Sequence, residues 1–188
     1  TMTLSYGYGI AVSPLMLVDA VRGVIKGYRK YSATILKRTE DVALLADGDH
    51  RIVSEKTAAT IRELMRLVVQ EGTAKKANVP GYEVIGKTGT AHKSQGKRGY
   101  NVDRITSFVG AFPKDNPQYI VAVFLDSPKP TKNTHGYATG GWNSAPTAGK
   151  IIARLAALMG VQPTENDAIH DNYGFIPIRH TVANSHED

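Results

Sequence analysis

Residues 87–90, Lys-Thr-Gly-Thr, bring a cation, two hydroxyls and a bare stretch of backbone together in one short run. Read as a β-strand, their side chains alternate, so Thr88 and Thr90 share a face and can present both hydroxyls to one ligand group. Gly89 between them leaves the backbone uncovered, and an extended peptide can lie alongside as an added strand. Lys87 puts a positive charge at the same place. Such a strand suits an anionic peptide that ends in a carboxylate.

The same residues also close a longer pattern. Gly81 to Thr88 fits Gly-x-x-x-x-Gly-Lys-Ser/Thr, the backbone cradle that P-loop nucleotide-binding proteins wrap around phosphates. The run "IVAVFLD", ending at Asp126, looks like the strand whose terminal Asp holds magnesium in such enzymes. Context argues against it. A P-loop needs a buried strand before its first Gly and a helix opening at Lys-Thr, with its N-terminus facing the phosphates. Here "KKANVP" precedes Gly81, "YEVI" between the glycines is strand-like, and "GTAHKSQGKRG" cannot sustain a helix.

Several elements must position the Lys-Thr-Gly-Thr strand. Ser13 as N-cap and Pro14 at the first helical position open a helix over residues 14–26, with Leu17, Val18, Val21, Val24 and Ile25 as its apolar stripe and Gly27 as its stop. "YSATIL" and "DVALLA" read as a hairpin around Arg38 to Asp41. Ser54 caps a second helix, on which Ala58, Ile61, Met65 and Val68 keep helical spacing until Gly72. Three β runs follow: "YEVIGKTGTAH", "RITSFVGAF" and "QYIVAVFLD". The turn "PKDNPQ" is too short for a helical crossover, so the last two runs are antiparallel neighbours, which a parallel phosphate-binding sheet does not allow. After the Pro- and Gly-rich loop 127–141, Asn143 or Ser144 opens a last helix with Ile151, Ile152, Leu155, Leu158 and Met159 on one face and Gly160 at its end.

A chain of 188 residues with 41% hydrophobic residues is globular and buries one core of ordinary size. The absence of cysteine excludes a disulfide framework and a thiolate metal site. A net charge of +6 is compatible with anionic partners, yet the Lys and Arg residues form no long block, and a solvated basic surface explains them. No apolar run approaches the roughly 20 residues needed to span a bilayer, so this stretch is expected to be soluble.

In order along the chain, these segments resemble the transpeptidase domain of class B penicillin-binding proteins, most closely the septal, cell-division type. "SYGYGIAVSPLMLVDA" is similar to that family's helix entry, and "EGTAKKANVPGYEVIGKTGTAHK" to its path from a Gly-Thr-Ala turn into the Lys-Thr-Gly-Thr strand. "SFVGAFP", "IVAVFLDSP" and "GGWNSAPTAGKI" resemble the strands, loop and closing helix that follow. The resemblance implies an α+β fold shared with serine β-lactamases, an antiparallel sheet flanked by helices, incomplete in this chain. Residues 1–162 would be the C-terminal part of the transpeptidase domain and 163–188 a polar tail.

The implied activity is peptidoglycan D,D-transpeptidation by serine acyl transfer, with stem peptides as substrates and β-lactams as inhibitors. The alternative in the same fold is a β-lactamase or β-lactam sensor. Lys87 would support the electrostatics of the site, the Thr88 and Thr90 hydroxyls would bind the substrate carboxylate along the Gly89 backbone, and the Thr90 N–H would be an oxyanion donor. No metal or organic cofactor is implied. The full-length protein would sit at the inner membrane, facing the periplasm, with other division proteins as partners. In the family's sheet the strand matching residues 118–126 has a further neighbour from before residue 1, so that edge is a candidate for self-association here.

The family's Ser-x-x-Lys nucleophile is not matched. The sequence's Ser94-Gln95-Gly96-Lys97 lies in a Gly-rich loop, whereas a nucleophile of this type sits at a helix start with its Lys one turn inside, so Ser94 is a decoy. The chain alone should therefore be inactive. Gly7-Tyr8-Gly9 lacks the third glycine of a dinucleotide loop, and His50, His92 and His135 share no ligand spacing. Lys93, Lys97 and Arg98 beside Tyr100 are too short a basic stretch for a nucleic-acid site.

Overall fold

The computed structural model describes residues 10–29, 50–94 and 100–164. The hairpin expected over residues 31–46, the Gly7-Tyr8-Gly9 stretch, most of the Ser94–Lys97 loop and the tail from residue 165 lie outside them.

Helix α1, Pro14–Lys26, opens as the sequence requires, with the Ser13 hydroxyl accepting from the Met16 N–H at 3.2 Å. It closes on Gly27, whose φ of 78° is left-handed. Two short strands follow, β1 (Tyr28–Arg29) and β2 (His50–Arg51), paired antiparallel. Helix α2, Glu55–Gln70, is capped by Ser54, whose hydroxyl accepts from the Thr57 N–H at 3.1 Å. Arg62 of α2 donates to the Ile25 carbonyl at 2.7 Å, tying α2 to the carbonyl end of α1, where a cation is favoured.

α2 stops immediately before Gly72, as expected, but without a left-handed cap. Its C-cap is Glu71 with a right-handed backbone, and Gly72 is not left-handed. Gly72 is needed for space instead: a Cβ there would come within 2.9 Å of the Val68 Cα and carbonyl oxygen. The chain then folds through a tight turn, with the Ala74 N–H donating to the Val68 carbonyl at 3.1 Å, into a 3-10 turn at Lys75–Ala77.

Strands β3 (Ile85–Ser94), β4 (Tyr100–Phe112) and β5 (Tyr119–Asp126) form one antiparallel sheet in the order β3-β4-β5. β3 starts later than the apolar pattern suggests, because Gly81 (φ 82°) and Glu83 (φ 41°) bend the backbone out of the extended region. Lys87 and Thr88 thus lie inside an antiparallel strand with no helix following, which removes the P-loop reading. β5 pairs only with β4 among the described residues.

Pleating divides the sheet into two faces. Ile85, Ala111 and Ile120 pair across the strands and pack with Val21, Ile25 and Met65 of α1 and α2. The other face carries Phe108, Phe112, Val121 and Val123 against the last helix, α3 (Ser144–Leu158). The buried side of α3 is made of small residues, Ser144, Ala145, Ala148, Gly149 and Ala156, together with Ile152. Ile151, Leu158 and Met159, expected on one apolar face, are exposed. The reason is close approach: a Cβ at Gly149 would be 2.9 Å from the Lys76 carbonyl oxygen, so the helix backbone lies almost on the 3-10 turn. Gly160 ends this segment with a φ of 66°, and Thr164 returns to donate its N–H to the Gly81 carbonyl at 2.7 Å.

One buried charge links α2 to the start of β3. Arg66, 7% exposed, donates to the Asn78 side-chain oxygen at 2.8 Å and to the Val84 carbonyl at 2.9 Å. These bonds satisfy polar groups that would otherwise be stranded beside the core, and they set where β3 begins.

Candidate active-site groove

Among the described residues, β3 is an edge strand, with β4 on one side and an open groove on the other. In an antiparallel pair, opposed residues alternate between those that exchange backbone hydrogen bonds and those whose N–H and C=O point away. The Thr88 carbonyl accepts from the Lys87 amine at 2.8 Å, so it points away from β4. Thr90, two residues on and opposite Thr106, follows the same phase, and its N–H and C=O also face the open edge. The backbone is therefore presented to an incoming extended chain at Thr88 and Thr90.

The hydroxyls of the same two residues reach into the groove. Thr88 Oγ1 lies 2.6 Å from Thr73 Oγ1, on the turn that follows α2. Thr90 Oγ1 accepts the Gly140 N–H at 2.9 Å. The groove, about 440 Å³, is lined by Gly72, Thr73, Lys75 and Lys76 on one wall, Thr88 and Thr90 on the floor, and Thr139, Gly141 and Trp142 on the other wall. Lys87 and Gly89 do not line it. Alternation turns the Lys87 side chain to the opposite face of the sheet, and its ammonium returns to the open edge by donating to the Thr88 carbonyl.

Two glycines hold the walls against the strand. A Cβ at Gly140 would lie 2.6 Å from the Gly89 carbonyl oxygen and 2.7 Å from that of Ser107, and one at Gly141 would lie 2.6 Å from the Thr73 carbonyl oxygen. Behind Thr90, the buried Thr106 and Ser144 hydroxyls bond at 2.8 Å, joining β4 to the start of α3. At the rim, Tyr137 stacks on Trp142 with centroids 5.8 Å apart, and the Lys76 ammonium sits 4.2 Å from the Trp142 ring centre. His135 meets the edge of the same ring at 5.0 Å. Thr73, Gly140, Gly141, Trp142 and Lys76 were not singled out from the sequence. The Gly140-Gly141 pair was the available signal, since adjacent glycines beside a strand mark close backbone approach.

At the far end of β3, Lys93 donates to Asp126 at 2.7 Å and to the Ser127 hydroxyl at 3.4 Å. The hydrogen bond from Lys93, with a second from Ser127, holds the Asp126 carboxyl below the usual aspartate range. Ser94 is the last residue of β3, so it does not occupy a helix start. Among the described residues no three His, Asp or Glu side chains converge, and His50, His92 and His135 remain on separate elements.

An open strand edge with a hydroxyl pair beside it is geometrically able to take an extended peptide, and known proteins share the sequence that builds it. Residues 1–153 match the family described as the penicillin binding protein transpeptidase domain. This chain belongs to that family. It is 40% identical over 167 residues, 84% of the chain, to the probable peptidoglycan D,D-transpeptidase FtsI of Caulobacter vibrioides, and covers 28% of that protein. It is 34% identical to the stage V sporulation protein D of Bacillus subtilis, over 87% of the chain and 26% of that protein. The chain thus spans about a quarter of the length of these relatives.

Solved structures agree. The transpeptidase domain of penicillin-binding protein 3 from Burkholderia pseudomallei superposes with a TM-score of 0.70 at 36% identity, over 86% of this chain and 47% of that one. Penicillin-binding protein 3 of Mycobacterium tuberculosis, complexed with ampicillin, gives 0.71 at 28% identity, over 87% of this chain and 38% of that one. The α+β transpeptidase fold expected from the sequence is therefore the fold of this chain.

Proposed function

We propose that this segment is the substrate-binding wall of a class B, division-type peptidoglycan D,D-transpeptidase. The observation that carries the reading is the convergence at one open edge of the outward-facing Thr88 and Thr90 backbone with the hydroxyls of both residues. A stem peptide ending in D-Ala-D-Ala would lie antiparallel to β3 as an added strand. Its terminal carboxylate would accept from the Thr88 and Thr90 hydroxyls, as would that of a β-lactam, and Lys87 would supply positive charge at the edge.

In the reaction, a serine oxygen from outside these residues attacks the penultimate carbonyl carbon. The oxyanion that forms accepts the Thr90 N–H, which already faces the open edge and is worth a few kcal/mol in the transition state, about 3. Collapse breaks the peptide bond and releases D-Ala, whose amine takes the proton that the serine gave up on attack. An amine of a neighbouring stem peptide then displaces the serine and forms the cross-link.

The wider setting belongs to the same proposal: a membrane-held protein acting on the periplasmic side with other division proteins, and an outer β5 edge that pairs with a further strand. Among the described residues no helix is long and apolar enough to cross a membrane. Fast amide exchange at Val121 to Phe124 in a monodisperse monomer would argue against the pairing of that edge.

The test is acylation by a fluorescent penicillin of the transpeptidase that contains this segment and its nucleophile. Lys87→Ala and Thr90→Val should each slow labelling roughly 10- to 100-fold, the loss of one hydrogen bond to a charged group, with the melting temperature nearly unchanged. Labelling at the wild-type rate in proteins that melt earlier would refute the reading. The 188-residue chain alone should form no covalent adduct. A labelled band abolished by Ser94→Ala would reverse the assignment of Ser94.

A further inference from the structure

Thr73 has no role in the reading above, yet it touches the hydroxyl on which that reading depends. Its Oγ1 lies 2.6 Å from Thr88 Oγ1, and it lines the same groove. The turn that carries it is held from both sides. Ala74 is fully buried and donates its N–H to the Val68 carbonyl at 3.1 Å, while Gly141 packs against the Thr73 carbonyl so closely that a Cβ would be 2.6 Å away. Thr73 itself is exposed. It is an exposed hydroxyl on a fixed backbone, aimed at the floor of a groove.

Counting protons shows what this arrangement provides. A hydroxyl carries one O–H donor and two acceptor positions. The Thr73–Thr88 contact uses one O–H and leaves the other, whichever of the two donates. Thr90 Oγ1 accepts from the Gly140 N–H, so its own O–H is also left over. Three hydroxyls therefore present two remaining O–H donors to the groove, and a carboxylate has two oxygens to receive them. Without Thr73, the Thr88 hydroxyl would keep its proton but lose the partner that orients it, and ordering it on binding costs affinity.

We propose that Thr73 is a third member of the carboxylate-binding site, coupled to Thr88 so that the pair acts as one donor and Thr90 as the other. The inference rests on the carboxylate reading of this groove. It makes Thr73 a specificity residue for the free acid of the ligand, with no part in bond breaking.

The experiment compares acylation of the complete transpeptidase by a penicillin and by its methyl ester, which has lost the negative charge. Thr73→Val should slow acylation by the acid about tenfold, equivalent to about 1.4 kcal/mol, and leave the ester unaffected. Thr73→Ser should restore the acid rate. An unchanged acid-to-ester ratio in Thr73→Val, or an equal loss with both compounds, would overturn the inference while Thr90→Val still lowers the ratio. If Thr90→Val also leaves the ratio unchanged, the carboxylate reading itself fails.

Discussion

Gly140→Ala is the perturbation that most directly tests how the groove is assembled. The added methyl would stand 2.6 Å from the Gly89 carbonyl oxygen, 2.7 Å from the Ser107 carbonyl oxygen and 3.2 Å from Thr88 Cβ. Ordinary contact begins near 3.4 Å, so both carbonyls are overlapped by most of an ångström. Neither can yield cheaply, because Gly89 and Ser107 are opposed in the β3–β4 ladder. The loop must lift instead. Lifting breaks the Gly140 N–H bond to Thr90 Oγ1 at 2.9 Å and strains the Ala145 N–H bond to the Gly140 carbonyl at 2.8 Å. Overpacking of this kind costs about 1–3 kcal/mol, and a lost hydrogen bond adds about 1 kcal/mol. The sum, about 2–4 kcal/mol, corresponds to roughly 5–15 °C in melting temperature for a domain of this size. Differential scanning calorimetry of the complete transpeptidase reads the stability, and penicillin labelling reads the site. Both should fall. A variant that melts within about 2 °C of wild type and labels normally would show that the glycine is not required for the approach, and the description of the loop as pinned to the strand would be wrong.

Two further outcomes follow from the frame around the groove. Arg66→Met removes the buried donor to Asn78 and the Val84 carbonyl, and should lower unfolding free energy by about 2–4 kcal/mol in urea titration; a loss under about 1 kcal/mol would mean that β3 is placed without it. The carboxyl of Asp126 is held below its ordinary range by Lys93. A depressed folded-state value means that its contribution is present above the unfolded aspartate value of about 3.9 and is lost as pH falls through the lower, folded one. An NMR titration should therefore give Asp126 a midpoint under that value, moving up in Lys93→Met; a midpoint indifferent to Lys93 would exclude the ion pair as the cause.

Helix starts were legible because capping is local. Ser13 and Ser54 sit where an oxygen must meet free N–H groups, and both do so. The antiparallel β4–β5 neighbourhood followed from a turn too short for any crossover, and the strand character of Lys87 to Thr90 from the glycines and polar residues that forbid a helix after it. The packing role of Gly72 and the buried face of α3 were not legible, for the opposite reason. Apolar periodicity marks which side is greasy, but Gly72 and Gly149 serve close backbone approaches, which depend on what stands opposite.

By itself, then, the sequence determined the residue chemistry and the local geometry: a strand with Thr88 and Thr90 on one face, and an order of elements that resembles a known family. Only the tertiary structure decided which groups complete the site. Thr73 reaches Thr88 across 15 positions and Gly140 reaches Thr90 across 50. Lys87, adjacent in sequence, is turned away from the groove and returns only to its edge. Strand alternation acts over two residues and can be read along the chain. The meeting of a turn, a strand and a loop is set by packing between α3, the 3-10 turn and the sheet, and no local pattern encodes a distance between segments so far apart.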